Sequence, residues 1–380
     1  MFLGSSCGLY STATCSTGYA TPWVTSGSAG AAYGYSVASA GDVNGDGCSD
    51  VLVGAFSDAG SGSALGRAFL YLGCTSGSLG TSPDWTATGS TVGGRFGWSV
   101  GSAGDVNRDG YSDVFIGEPY YSNGQTEEGR VVVYLGLGPG HTPSLPSSSS
   151  WSKEVDSASW HFGYCVSTAG DVNDDGYSDL IVGAPDYSNG ETLEGTAYIY
   201  TGSSSGLSTS ALSWSPEPDR ASAQFGTFVG TAGDLNGDSV SDVIVGAPQD
   251  STNSGALPAE GRAFAYLGSP SGLSASPFWS AAGGVANGNF GNWLVGIDDR
   301  SDFSQDLIVG VPGANKFSFF PSGIGCPSCT SYPSSGPIPN ARQLGMNGTP
   351  VHVYSNNRPP TTPTKTFKLK VEARDGFITS

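Results

Sequence analysis

Aspartate and asparagine recur at fixed positions of a nine-residue loop four times along this chain. The copies are DVNGDGCSD from Asp42, DVNRDGYSD from Asp105, DVNDDGYSD from Asp171 and DLNGDSVSD from Asp234, spaced 63 to 66 residues apart. Positions 1, 3, 5 and 9 carry oxygen side chains. Alternate residues of a tight loop point to one side, so the first three converge and the ninth closes the set, with a backbone carbonyl available at position 7. A hard cation that takes six to eight oxygens suits this donor set, and calcium is its natural occupant. The candidate ligands are Asp42, Asn44, Asp46, Cys48 and Asp50; Asp105, Asn107, Asp109, Tyr111 and Asp113; Asp171, Asn173, Asp175, Tyr177 and Asp179; and Asp234, Asn236, Asp238, Val240 and Asp242. Cys48, Tyr111, Tyr177 and Val240 enter through their carbonyls alone. Such clusters also make plain turns, but four copies in register argue for metal, and about four structural calcium ions are expected.

The elements that hold these loops are strands. An EF-hand begins with the same spacing but places a bidentate acid at position 12 between two helices. Position 12 here is Val53, Ile116, Val182 and Val245. The runs VLVGA, VFIGE, LIVGA and VIVGA that follow the loops read as short strands stopped by glycine. Each period opens with an aromatic-glycine pair, Tyr33-Gly34, Phe96-Gly97, Phe162-Gly163, Phe225-Gly226 and Phe290-Gly291, and passes through a first strand into the acidic loop. A second strand ends in GAF, GEP, GAP or GAP, and a third reads GRAFLYLG, GRVVVYLG, GTAYIYTG or GRAFAYLG. A weaker fourth carries Trp85, Trp151, Trp214 and Trp279, with Trp23 as an earlier member of the series. Four short strands per repeat predict an all-β protein, a β-propeller of four-stranded blades.

Composition narrows the function classes. The formal net charge of −18 over 380 residues disfavours nucleic acid and anionic membrane as partners. Four divalent ions would bring that charge to −10; thirteen of the 33 acidic residues lie in the four loops, twelve of them at the ligand positions. Without metal, each loop gathers three carboxylates that repel one another. No apolar run approaches a membrane span, so direct membrane insertion is not expected. The opening MFLGSSCGLYSTATC lacks the charged and apolar regions of a signal peptide, so a leader is expected to belong to a preceding part.

The aromatic-glycine opening, the DxNxDGxxD loop and the GAP ending together resemble the FG-GAP repeat of the integrin alpha-subunit propeller and of bacterial surface proteins. The resemblance covers residues 1 to about 325. It implies a propeller, usually of seven blades, with calcium between first and second strands. It also implies an extracellular or cell-surface setting and adhesion or ligand recognition without catalysis. Only five openings are present, and Phe2-Leu3-Gly4 aligns with Tyr71-Leu72-Gly73, so Met1 falls within a third strand. Two readings stand: part of a seven-bladed ring, which the mid-strand start favours, or a smaller ring closed by the N-terminal segment. The expected units are a partial blade over 1–32, repeats over 33–95, 96–161, 162–224, 225–289 and 290–325, and a Pro/Ser-rich linker over 326–345. The start of a truncated β-sandwich-like domain is expected over 346–380, where Phe367, Leu369 and Val371 alternate with polar residues.

The fifth loop, DDRSDFSQD from Asp298, places Arg300 where the others have asparagine, and no calcium is expected there. Ser239 replaces the usual glycine of the fourth loop, which predicts the weakest site if that position needs φ > 0. In an up-and-down blade the acidic loops mark one face. A protein or glycan ligand is expected on the opposite face, where the longer loops carry Tyr120, Tyr121 and Tyr187, and near the axis at Tyr35, Trp98 and Tyr164. Core packing is the simpler explanation of the last three. The competing class is a glycan-binding or polysaccharide lyase-like propeller, although His141, His161 and His352 stand beside no candidate nucleophile. Of seven cysteines, Cys7 with Cys15 and Cys326 with Cys329 are the local pairs expected to bridge, and Cys165 reads as buried and inert. Asn347-Gly348-Thr349 fits a glycosylation acceptor.

Overall fold

A computed structural model describes residues 24–60, 62–73, 79–142, 144–212, 214, 216, 218–251, 257–298 and 305–320, with short strands at 3–5, 8–10, 342–345, 351–352 and 366–367. Its organising unit is the antiparallel sheet that the period predicts. Blade 1 orders Tyr33–Gly41, Asp50–Ala55, Arg67–Tyr71 and Trp85–Thr88 from first strand to fourth. Blade 2 repeats it with Ser99–Gly104, Asp113–Glu118, Arg130–Tyr134 and Trp151–Glu154, and blade 4 with Phe228–Gly233, Asp242–Ala247, Arg262–Tyr266 and Trp279–Ala282. Blade 3 shows three strands among the described residues, Val166–Gly170, Asp179–Ala184 and Thr196–Tyr200, and Trp214 is buried beside it. Blade 5 consists of Leu294–Asp298, Gln305–Val311, Lys316–Phe320 and Arg342–Gly345. Its outer strand thus comes from inside the stretch expected as linker, pairing Phe319 with Arg342 and Lys316 with Gly345. Near the start, Leu3–Ser5 pairs with Gly8–Tyr10, and in the tail Val351–His352 pairs with Thr366–Phe367. The cysteines expected to pair locally, and the rest of the alternating tail, lie outside the described residues.

The core sits between blades. Every residue of the second strands is buried in blades 1 to 4, which is why those runs are apolar on both faces. Leu52 and Leu70 of blade 1 pack with Val114, Ile116 and Val132 of blade 2, and Phe115 and Val133 of blade 2 with Leu180 and Val182 of blade 3. First strands of successive blades lie against one another. Phe96, Phe162, Phe225 and Phe290 are buried at each opening. Three of them start a blade by pairing backward in parallel: Phe162 with Gly129, Phe225 with Gly195 and Phe290 with Gly261. The tryptophans clasp forward. The Trp85 indole N–H donates to Pro146 O at 3.0 Å, Trp151 to Ser208 O at 3.0 Å and Trp214 to Ser274 O at 3.1 Å.

One sequence expectation needs correction. Second strands do not stop at their glycine but run through it to Ala55, Glu118, Ala184 and Ala247. The glycine is there because the next blade's backbone is. A Cβ on Gly54 would stand 2.0 Å from Gly97 O, one on Gly183 2.0 Å from Gly226 O, and one on Gly246 1.9 Å from Gly291 O. The glycine of one repeat's ending therefore abuts the glycine of the next repeat's opening.

Candidate metal loops and recognition face

Each acidic loop is wound around its own side chains. In the first, Asp42 accepts the backbone N–H groups of Gly45, Asp46 and Gly47 at 2.7 to 3.1 Å, and Asp46 accepts that of Cys48 at 2.9 Å. The asparagine at position 3 donates its side-chain N–H to the aspartate at position 5 in all four copies: Asn44 to Asp46, Asn107 to Asp109, Asn173 to Asp175 and Asn236 to Asp238. This brings positions 1, 3 and 5 together as the spacing requires.

Position 9 has a second task that the sequence did not disclose. Asp50 is buried, and its two oxygens accept Val43 N at 2.9 Å and Gly73 N at 2.8 Å. Asp113 likewise holds Val106 and Gly136, Asp179 holds Val172 and Gly202, and Asp242 holds Leu235 and Gly268. Each aspartate therefore ties the acidic loop to the end of the third strand. Burial pushes these carboxyls up despite the two N–H donors, and the carboxylates at positions 5 and 1 add to the rise. Asp50 and Asp242 reach about 6, Asp113 and Asp179 about 7.

The donor set fits a hard cation: three carboxylates, an amide oxygen and a carbonyl per loop, with mutual repulsion that a cation would relieve. Among the described residues, no three His, Cys, Asp or Glu side chains stand close enough together to hold a metal as they are. Each position-9 oxygen has a lone pair left after its backbone bond.

Neighbouring loops are also joined. Ser112, at position 8 of the second loop, donates its N–H to Asp42 O at 2.9 Å, and its Oγ accepts the Asp42 N–H at 3.2 Å. Ser178 does the same to Asp105 and Ser241 to Asp171. Cys48 is disulfide-bonded, which anchors position 7 of the first loop. In the fourth loop Ser239 adopts φ 71°, where its counterparts are Gly47, Gly110 and Gly176 with φ 85 to 92°. Left-handed backbone at a non-glycine residue costs about 1 kcal/mol or more. Ser239→Gly is therefore expected to raise stability by about 1 kcal/mol and to tighten cation binding at Asp234, as denaturant titration and calorimetry would read. No gain in either would mean the loop relaxes around serine. Of the fifth loop, Asp306 is buried, while Arg300, Asp302 and the Asp298 side chain lie outside the described residues.

The opposite face gathers some of the expected recognition residues and separates others. Tyr35, Trp98 and Tyr164 form a row, with ring centroids 4.7 and 5.4 Å apart, and Tyr120 joins Trp98 at 6.0 Å. Tyr121 lies apart, under the Arg130 guanidinium at 3.9 Å, and Tyr187 packs on Trp160 at 4.5 Å. Phe56 and Arg95 also belong to the row, as does His161, which the sequence offers only as a histidine beside no nucleophile. Phe56 touches Tyr35 at 4.6 Å, Arg95 lies 3.7 Å above the Tyr120 ring, and His161 lies 4.5 Å from that ring. The available signal was position: Ala32, Arg95, His161, Gln224 and Asn289 each precede an aromatic-glycine pair, and all have positive φ. The Cys165 thiol is half-buried and contacts Val229 N at 3.4 Å, as Ser36 and Ser99 contact Val100 and Val166 one blade earlier.

A family model described as the FG-GAP repeat matches residues 33–66, 96–134, 162–200 and 225–258, each match starting at or beside an aromatic-glycine opening. The chain carries four FG-GAP repeats. Its blades are β-propeller blades, and its curated relatives include integrin alpha subunits. Integrin alpha-IIb of Mus musculus is 38% identical over 157 residues, covering 40% of this chain and 15% of the relative. Integrin alpha-5 of Xenopus laevis is 35% identical over 193 residues, covering 49% of this chain and 17% of the relative. The match thus spans less than a fifth of either relative. A solved structure concerning recognition of non-reducing terminal N-acetylglucosamine by an Agrocybe aegerita lectin aligns over 75% of this FG-GAP chain and 62% of that one. Its 13% identity and TM-score of 0.42 are too loose to bear on blade number or ligand. No helix among the described residues is long and apolar enough to cross a membrane.

Proposed function

We propose that this FG-GAP chain is an extracellular, non-catalytic recognition propeller that binds a protein ligand. In this reading calcium in the Asp42, Asp105, Asp171 and Asp234 loops braces the blades, and the ligand docks on the opposite face. The observation that supports it most is the fourfold carboxylate loop whose position-9 aspartate already ties strand ends together. A cation bound there would brace the fold rather than activate a substrate. The similarity to integrin alpha subunits supports the extracellular setting and the adhesive role.

The ligands would be the side-chain oxygens at positions 1, 3, 5 and 9 and the carbonyl at 7. When bound, calcium would neutralise the gathered carboxylates. Extracellular-type sites with dissociation constants of about 0.1 to 1 mM would each add ~0.4 to 1.4 kcal/mol at 1 mM calcium. The expected result is about four bound ions per chain and a fall in melting temperature on chelation. No bound ion and no shift would reduce the loops to turns. Binding to immobilised extracellular proteins and to a glycan array, with a test for unsaturated ends on uronic-acid polymers, checks the second half. Protein binding is expected; glycan binding alone, or cleavage, would replace this reading with the competing class.

A further inference from the structure

We propose that Arg95 is a carboxylate-docking point, the place where an acidic segment of a protein ligand meets the loop face. This inference rests on that face being the ligand surface, and it adds the chemistry of the contact. The Arg95 guanidinium lies 3.7 Å from the Tyr120 ring centroid, 5.3 Å from that of Trp98 and 6.0 Å from that of Phe56. Three rings therefore fix a planar fork whose N–H groups project from its edge, and stacking leaves those donors unused. Arg67, Arg130 and Arg220 are each paired with a carboxylate, at Asp58, Glu118 and Asp250. The Arg95 side chain makes neither an ion pair nor a hydrogen bond among the described residues. It is half-buried, in a chain where acids outnumber lysine and arginine 33 to 15.

Neighbouring acids are already occupied. Asp186 lies 2.5 Å from His161 Nδ1 and also accepts the Gln224 amide at 3.0 Å, while Glu127 lies 3.5 Å from His161 Nε2. His161 thus draws off the local carboxylates on one side of Tyr120, and Arg95 remains available on that ring. The left-handed backbone at Arg95 is shared by all five openings and is structural. What distinguishes this opening is the side chain it carries.

The rings argue against a sugar as the occupant. A pyranose needs an open aromatic face, but these rings stand tilted or edge-on to one another at 45 to 79°, and Arg95 lies over those of Tyr120, Trp98 and Phe56. A carboxylate needs only the edge of the fork, which a bidentate pair satisfies. Because the whole chain is acidic, approach of an acidic ligand is opposed at long range. A single-residue probe should therefore bind weakly, with a dissociation constant on the order of 1 mM.

The test is an NMR titration of the full, calcium-loaded chain, reading the Arg95 Nε–H and the Trp98 indole N–H. The probes are a blocked peptide with one aspartate among glycines, its asparagine counterpart, and galacturonate. Saturable shifts are expected with the aspartate peptide, at least tenfold weaker with asparagine. The Trp98 response should vanish in Arg95→Gln and weaken about tenfold in Arg95→Lys, which keeps the charge but loses the fork. Equal response to both peptides, an unchanged Trp98 response in Arg95→Gln, or no response at tens of millimolar would overturn the proposal. So would clear preference for galacturonate, which would assign the fork to a glycan acid. Retention of protein-ligand binding by Arg95→Gln would overturn it while leaving the recognition reading intact. Loss of binding to every extracellular protein by the parent chain would remove that reading itself. Both variants should melt within a few degrees of the parent, which keeps a folding defect from passing as a binding one.

Discussion

Gly183→Ala is expected to destabilise the protein by on the order of 4 kcal/mol, at the upper end of what one methyl group does. The added Cβ would stand 2.0 Å from Gly226 O, over an ångström inside any tolerated contact. The obstacle is backbone on both sides, so no rotamer change relieves it. Separating the blades would break the Phe225 N–H bond to Glu194 O at 2.9 Å and disturb the core of Ile181, Phe225 and Val245 between blades 3 and 4. Gly183 itself does not have positive φ, so conformational freedom plays no part and the effect is steric. Gly62→Ala is the control, since a Cβ there meets nothing within 4 Å. Urea denaturation of the two variants reads the difference. A loss below about 1 kcal/mol at Gly183 would show that the blade joint opens easily, contrary to this account of the repeated glycines.

The second large effect is a stability slope with pH that calcium should reverse. Asp50, Asp113, Asp179 and Asp242 have folded pKa values raised from 3.8 to about 6 or 7, chiefly by burial. A raised carboxyl prefers its protonated form in the fold. Its contribution is fully present below the unfolded value near 4 and is lost as pH rises through 6 to 7. At about 1.4 kcal/mol per unit, a two-unit rise corresponds to ~3 kcal/mol per loop before relaxation. In chelator, melting temperature should therefore fall between pH 4 and pH 7.5. At 1 mM calcium the ionised form becomes the favoured one, and the fall should flatten or invert. Asp113→Asn removes one of the four titrating groups and should reduce the slope measured in chelator. Glu118, also raised to about 7 by burial even though Arg130 opposes the rise, leaves a smaller slope that calcium does not touch. Identical profiles with and without calcium would separate these carboxylates from any metal site.

What the sequence disclosed and what it withheld follow from range. The acidic loops and the strands around them were legible because each is written within about a dozen residues, and the tryptophans because they recur once per repeat. Contacts between blades were not. Gly183 looked like a strand terminator because Gly226, the residue that demands it, lies in the next repeat. Asp50 read as a fourth ligand, and its bond to Gly73 N, across two strands, could not be inferred from spacing. Arg95 carried only a positional signal, its place before Phe96-Gly97. Its role as the filling of an aromatic row depends on Phe56 from the preceding blade and on Tyr120 from the loop after its own second strand.

The joint between blades is made largely from atoms that every residue possesses. Phe225 N donates to Glu194 O, Ser241 N to Asp171 O and Ser269 N to Val172 O, while glycine abuts glycine at the closest point. Such a seam carries little memory of which two neighbours it joins. A gene duplication that inserted or removed one whole period would present the same backbone edge to the same backbone edge. Lineages could therefore change blade count in a single step, leaving the exposed loops to diverge afterwards.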